Sequence, residues 1–266
     1  MNLDSGDVCE NLPAYPGGAG PAFVTYFNGS VLACGDAIYE DSNKCYTFDG
    51  VQWSEQFESL WRHCVDSSTL VVKEGLWIFD MTKTGPGSCD PSNYASEIWT
   101  GEKFIPGPTL PSGVRAVDAC VAELDASQSM LIGGDPNSSD VYIYNWDSQT
   151  WRQTTSLQQG RDRLGCISLG DQGVLAIGGN EDLSVELFDP FNETWSYQPS
   201  LPSDVYYGYS IILKHNTGHI IGLFQDTQNT YYRTKDGDWN VIENVYNGGD
   251  GRTLVPGNFV PACLPA

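Results

Sequence analysis

The residues able to do metal or covalent chemistry are few enough to follow one by one. There are three histidines, His63, His215 and His219. The last two flank a hairpin signal, His215-Asn-Thr-Gly-His219, so their rings can face each other. Two imidazoles without a third ligand make a poor metal site, and a solvated turn is the expectation. Eight cysteines stand at 9, 34, 45, 64, 89, 120, 166 and 263, with no Cys-x-x-Cys pair of the kind zinc uses. No Gly-x-Ser-x-Gly elbow and no phosphate-binding Gly-rich loop occurs. Asp135-Pro-Asn-Ser-Ser-Asp140 and Asn180-Glu-Asp182 offer oxygens to a hard cation, yet acidic loops of this kind are mostly just hydrated. The expectation is a protein without catalytic residues, metal or cofactor.

What does recur is scaffolding. Met130-Leu131-Ile132-Gly133-Gly134 is followed by Asp140-Val141-Tyr142-Ile143-Tyr144, then Asp147 and Trp151. Leu175-Ala176-Ile177-Gly178-Gly179 is followed by Ser184-Val185-Glu186-Leu187-Phe188, then Asp189 and Trp195. Each copy reads as an apolar strand, a double glycine, a loop, an alternating strand, an acidic turn and a tryptophan strand. The aromatics Trp53, Phe104, Trp151, Trp195 and Trp239 are spaced 51, 47, 44 and 44 residues apart. Arginine recurs near the end of the units, at Arg62, Arg115, Arg161 or Arg163, and Arg252. Glycine pairs suit a sharp bend in a crowded place, and the tryptophan fills a wedge while its N–H bonds to backbone.

This unit resembles a kelch repeat, in which four antiparallel strands form one blade of a β-propeller. The resemblance covers nearly the whole chain. It is nearest to secreted invertebrate kelch-like proteins through Cys9-Glu-Asn-Leu-Pro13, Cys34-Gly-Asp36 and Val255-Pro256…Cys263. It implies one all-β domain over 1–266: a six-bladed propeller of four-stranded antiparallel blades, the ring closed by the C-terminal strand. Residues 259–263 would join 1–5, 8–12 and 22–27 in the first blade, although Pro261 cannot donate to a ladder there. Five blades with an annealed tail is the alternative. Within a blade the Gly-Gly strands are read as innermost. Residues 22–27, 69–73, 117–124, 165–169 and 207–213 are read as outer strands finishing the blade before.

Kelch rings also carry copper radical oxidases and iron-dependent specifier proteins, but the histidine and Glu/Asp/His ligand patterns of those enzymes are not found. The class expected is a non-enzymatic scaffold that binds extracellular proteins or matrix glycans through its loops. An extracellular oxidase or glycosidase, and a structural subunit of a filament or coat, are the alternatives. Tyr39, Tyr94, Asp135, Asp140, Asp182, Tyr206 and Tyr207 lie in or near loops and are the binding candidates, since loops on a rigid scaffold carry recognition.

Charge and cysteine narrow the setting. A formal net charge of −21 with 13 Lys+Arg excludes a nucleic-acid or anionic-lipid footprint. No apolar run reaches the ~18 residues of a helical span, so membrane insertion is not expected. An even cysteine count together with sequons at Asn28, Asn137 and Asn192, each in a turn or loop, points to a secreted glycoprotein. The polar Met1-Asn2-Leu3-Asp4 is no signal peptide, so a mature or truncated form is expected. For the disulfides, the register predicts Cys34–Cys45, with Cys89–Cys120 and Cys9–Cys263 as further pairs.

Overall fold

The computed structural model describes residues 13–17, 23–35, 43–63, 68–82, 94–114, 116, 118–134, 136–179, 182–202, 210–214, 220–224, 230–234 and 237–242. Among them there is no α-helix. The strands build five antiparallel sheets. The first holds β1 (Phe23–Phe27), β2 (Ser30–Cys34), β3 (Lys44–Phe48) and β4 (Phe57–Glu58) in that order. The second holds β5 (Arg62–His63), β6 (Thr69–Val72), β7 (Gly75–Thr82), β8 (Tyr94–Trp99) and β9 (Phe104–Pro106), with β5 and β6 both paired to β7. The third runs β10 (Cys120–Asp125), β11 (Gln128–Ile132), β12 (Val141–Asn145) and β13 (Thr150–Gln153). The fourth runs β14 (Gly165–Ser168), β15 (Val174–Ile177), β16 (Val185–Asp189) and β17 (Thr194–Gln198). The fifth runs β18 (Ser210–Lys214), β19 (Ile220–Phe224), β20 (Thr230–Arg233) and β21 (Trp239–Ile242). The chain gathers into two units, one holding the first sheet and the second apart from Thr69 and Leu70 of β6, the other holding those two residues and the third to fifth sheets.

The all-β, mostly four-stranded antiparallel sheets are consistent with the kelch-type architecture, but the grouping of strands needs correcting. The segments read as outer strands of the preceding blade are the opening strands of the following sheet. β1 pairs with β2, β10 with β11, β14 with β15 and β18 with β19. The reason is chain connection. Asn28-Gly29 at φ 51° and 88° supplies the tight turn of a hairpin, and two residues link β10 to β11. Eleven residues separate β13 from β14, so the short hairpin wins the pairing. Opening strands of successive sheets also lie side by side, β10 against β14 and β14 against β18. That is the place the Gly-Gly strands were expected to hold. The residues proposed to close a sixth blade lie outside the described ones, as does Cys9–Cys263.

The core explains the strand chemistry. Val174, Leu175, Ala176 and Ile177 are all fully buried, and so are Leu76 to Phe79 and Met130 to Ile132 to within 2%. A strand covered on both faces reads as a continuous apolar run rather than an alternating one. Full burial of each such side chain stabilises by roughly 1.5–3 kcal/mol. Three of the recurring tryptophans behave as expected, whereas the indole N–H of Trp239 has no acceptor. The indole N–H of Trp53 donates to the Pro13 carbonyl (3.1 Å), that of Trp151 to Thr109 (2.9 Å) and that of Trp195 to Thr155 (3.0 Å). Each tie reaches about forty residues back to the segment that precedes its sheet, from the fourth strand for Trp151 and Trp195 and from just ahead of β4 for Trp53.

Two disulfides are described. Cys34–Cys45 joins direct cross-strand partners of β2 and β3, as the register predicts. Cys120 is bonded to Cys166, not to Cys89. The corrected grouping explains this: both cysteines sit on neighbouring opening strands, β10 and β14, and that adjacency was invisible while β10 was assigned to the previous blade.

Candidate functional site

The best-defined loop surface is built around Arg161, in the segment between β13 and β14. Its guanidinium is fully buried. One nitrogen, Nη1, donates to the carbonyls of Gly178 (2.8 Å) and Ser184 (2.9 Å); the other, Nη2, donates to the Ser184 hydroxyl (2.9 Å) and to Glu186 (2.6 Å). Asp182 adds a carboxylate oxygen at 3.4 Å. Glu186, also fully buried, accepts the backbone N–H groups of Gln158 (2.8 Å) and Gln159 (3.1 Å). Every charge in this cluster is therefore answered, which is the condition for burying it.

The backbone of the same arginine holds the other loop. The N–H of Gly134 donates to the Arg161 carbonyl, and the N–H of Arg161 donates to Ser138, both at 3.0 Å. The double glycines are what allow this approach. Gly133 has φ +70° and Gly179 has φ +133°, and a Cβ on them would stand 2.5 Å from the Arg161 carbonyl and 2.8 Å from that of Asp162. One residue, by its backbone on one side and its buried side chain on the other, thus pins the loop after β11 to the loop after β15. What projects from the first is Pro136, Asn137 and Asp140, all exposed.

The expected binding residues fall in different places. Asp140 accepts a hydrogen bond from Gln153 (3.1 Å) and, after burial itself, helps push the Tyr142 hydroxyl above its ordinary range. Asp182 is turned inward, accepting from the N–H and hydroxyl of Ser184 at 2.8 Å each as well as facing Arg161. Tyr94 opens β8 opposite Thr82. Tyr39, Asp135, Tyr206 and Tyr207 lie outside the described residues, as do His215 and His219. The sequon asparagines Asn28, Asn137 and Asn192 are all exposed. Among the described residues no group of three His, Cys, Asp or Glu side chains is placed to hold a metal ion.

Three features were not picked out from sequence. In the second sheet Glu97 occupies the register position that Glu186 holds in the fourth, and it accepts the Leu60 N–H at 2.9 Å. Burial pushes its carboxyl up to about 8, against the opposing pull of the Leu60 and Trp61 N–H groups. A cleft of about 380 Å³ in the same unit is lined by Phe27, Asn28, Leu32, Phe57 and Trp99, with Glu102 the one acid on its wall. Phe191 stands 85% exposed at the tip of the turn that carries Asn192. The glycine pairs and recurring arginines were the signal for the Arg161 cluster; nothing in the sequence singled out Phe191.

Four-stranded antiparallel sheets with a Gly-Gly second strand and, in the third and fourth, a clasping fourth-strand tryptophan are consistent with kelch-type repeats. The comparisons agree. The chain is similar to Kelch-like protein 35 of Mus musculus and of Homo sapiens, 35% identical over 109 residues in each case. That stretch is 39% of this chain and 18% of each relative. Kelch-like protein 36 of Bos taurus is 30% identical over 114 residues, 42% of this chain and 18% of that protein. No family model matches. Identities of 30–35% over part of the chain support its assignment to the kelch-repeat family, while the matched stretch spans less than a fifth of those relatives' length.

Proposed function

We propose that this protein is a secreted, disulfide-stabilised, non-enzymatic propeller scaffold that binds extracellular proteins or matrix glycans through its loops. The observation that carries the reading is the Arg161 cluster, which holds two loops rigid and leaves Pro136, Asn137 and Asp140 exposed on top. Recognition favours such pre-ordered loops, because their ordering cost is met on folding rather than on binding. Two disulfides and three exposed sequon asparagines support an oxidising, secretory setting. The complete domain, in this reading, is one ring of six blades closed by residues 259–263.

The test is expression of the full chain through a eukaryotic secretory pathway, with the product screened on extracellular-protein and glycan arrays. The expected outcome is binding that Asp140→Ala weakens and Asn137→Ala changes, with unfolding midpoints unaltered. Stoichiometric copper or iron, or turnover of an oxidase or glycosidase substrate, would replace the scaffold reading. Intact mass before and after glycosidase treatment checks the sequons.

A further inference from the structure

The fifth sheet departs from the repeat in two side chains at once. In the other four, the recurring aromatic, which lies in the fourth strand or, for Trp53, just ahead of it, faces another aromatic. Ring centroids are 5.1 Å apart for Phe48–Trp53, 4.8 Å for Trp99–Phe104, 4.9 Å for Tyr144–Trp151 and 5.2 Å for Phe188–Trp195. In the fifth, the cross-strand partner of Trp239 is Arg233. As direct partners the two project from the same face of the sheet.

Arg233 is only 8% exposed. Its Nη2 makes one long hydrogen bond, to Gln198 Oε1 at 3.4 Å, its Nε has no partner, and among the described residues no carboxylate lies within ion-pair distance. The indole N–H of Trp239, which in the first, third and fourth sheets donates to a backbone carbonyl, has no acceptor here, and neither has the buried Thr234 hydroxyl at the end of the same hairpin. Gly237 lies close over the guanidinium, where a Cβ would stand 3.1 Å from Nη2. A buried cation answered only from beyond ion-pair distance, by Asp238, is costly to a fold, and buried donors left without acceptors call for an occupant.

We propose that the corner formed by Arg233, Thr234 and Trp239 is a binding site for a carboxylate. A guanidinium and an indole can only donate, and the hydroxyl can rotate to do so, so the ligand must be an acceptor. With Asp238 acting on the guanidinium only from beyond ion-pair distance, the charge still favours an anion, and a planar carboxylate accepts from two or three such donors at once. A chain of net charge −21 repels a multiply charged ion more strongly than a single carboxylate. The site goes beyond the loop-scaffold reading and stands whether or not the loops bind anything.

The experiment follows the Trp239 indole N–H by NMR in the oxidised full chain, its signal assigned by its loss in Trp239→Phe. Sodium acetate and an end-blocked tetraglutamate peptide are titrated separately, against sodium chloride at matched ionic strength. A saturable shift with carboxylate and none with chloride is expected, weakened roughly 10- to 100-fold in Arg233→Met, as for loss of a charge-assisted bond. Saturation by acetate identifies a free small carboxylate as the ligand; a response to the peptide alone identifies an acidic side chain presented by another chain. No saturable shift with either probe overturns the proposal. So does an Arg233→Met chain that binds unchanged or fails to fold, because the guanidinium would then be a structural tie. Calorimetry on Trp239→Phe gives an independent reading: affinity should fall several-fold, and unchanged affinity counts against the site.

Discussion

Two successive seams of one unit, third sheet to fourth and fourth to fifth, use the same repeat and end in opposite chemical states. At the first, Arg161 meets Glu186 and Asp182, Trp195 meets the Thr155 carbonyl, and Arg152 and Thr154 both reach Glu193, whose carboxyl those contacts hold below its usual range. At the second, Arg233 bonds Gln198 alone, with Asp238 acting on it from beyond ion-pair distance, and the indole N–H of Trp239 has no acceptor. A repeat therefore conserves the shape of its unit more tightly than the polar pairing on each copy. The saturated seam is a strut. The unsaturated one keeps bonding capacity in reserve.

The largest effect should come from breaking the strut. Arg161→Met or Glu186→Leu leaves one buried charge unanswered and should cost about 3–5 kcal/mol in urea unfolding. Arg233→Met should cost nothing or stabilise, and equal losses at the two arginines would erase the contrast between the seams. The covalent tie lies on the saturated seam too. Replacing Cys120 and Cys166 by serine reopens a 46-residue separation and should cost about 4 kcal/mol on the chain-entropy model, against about 3 kcal/mol for the 11-residue separation of Cys34 and Cys45.

Glu97 extends the comparison to the other unit by a pH measurement. Its folded-state carboxyl keeps its proton up to about pH 8, while the unfolded chain releases it near 4.5. The stability it contributes is whole below about pH 4.5, declines as pH rises, and is gone above about 8. Denaturant midpoints of wild type should therefore fall across this window relative to Glu97→Gln, whose amide does not titrate. A parallel pair of pH curves would show that the site does not behave as a buried acid. The smallest effect separates the two indoles: Trp195→Phe should cost about 1 kcal/mol for its lost hydrogen bond and Trp239→Phe close to none beyond the change in ring size.

Much of this architecture was readable because repeats announce themselves. The double glycines, the tryptophan spacing and the Cys34–Cys45 register all depend on local pattern, and all were legible. The acidic turn was legible only in kind: the first clear copy caps its turn with Asn145, which bonds the Ser148 N–H at 2.8 Å, where Asp147 had looked equivalent to Asp189. Strand grouping was missed because a strand lying between two others in sequence shows no sign of which neighbour it pairs. Turn length decided that, and the Cys120–Cys166 bond went with it. Of the candidate site, Arg161 was one of two arginines offered for its place. Glu97, Glu186 and Arg233 were hidden because the cost of burying a charge depends on neighbours that the sequence does not display. Asp182 read as a loop acid free to bind, yet its inward hydrogen bonds make it part of the strut.

The bond between Cys120 and Cys166 also changes how the chain would answer a pulling force. Stretched from its ends, a polypeptide lengthens by roughly 3.3–3.6 Å for each residue released. A staple across 46 positions withholds about 150–165 Å of that extension until the sulfurs part. Everything between them, the third sheet's three later strands and Arg161 itself, is shielded from the load, because tension runs through the covalent shortcut instead. In a reducing bath the same pull would peel that sheet open strand by strand.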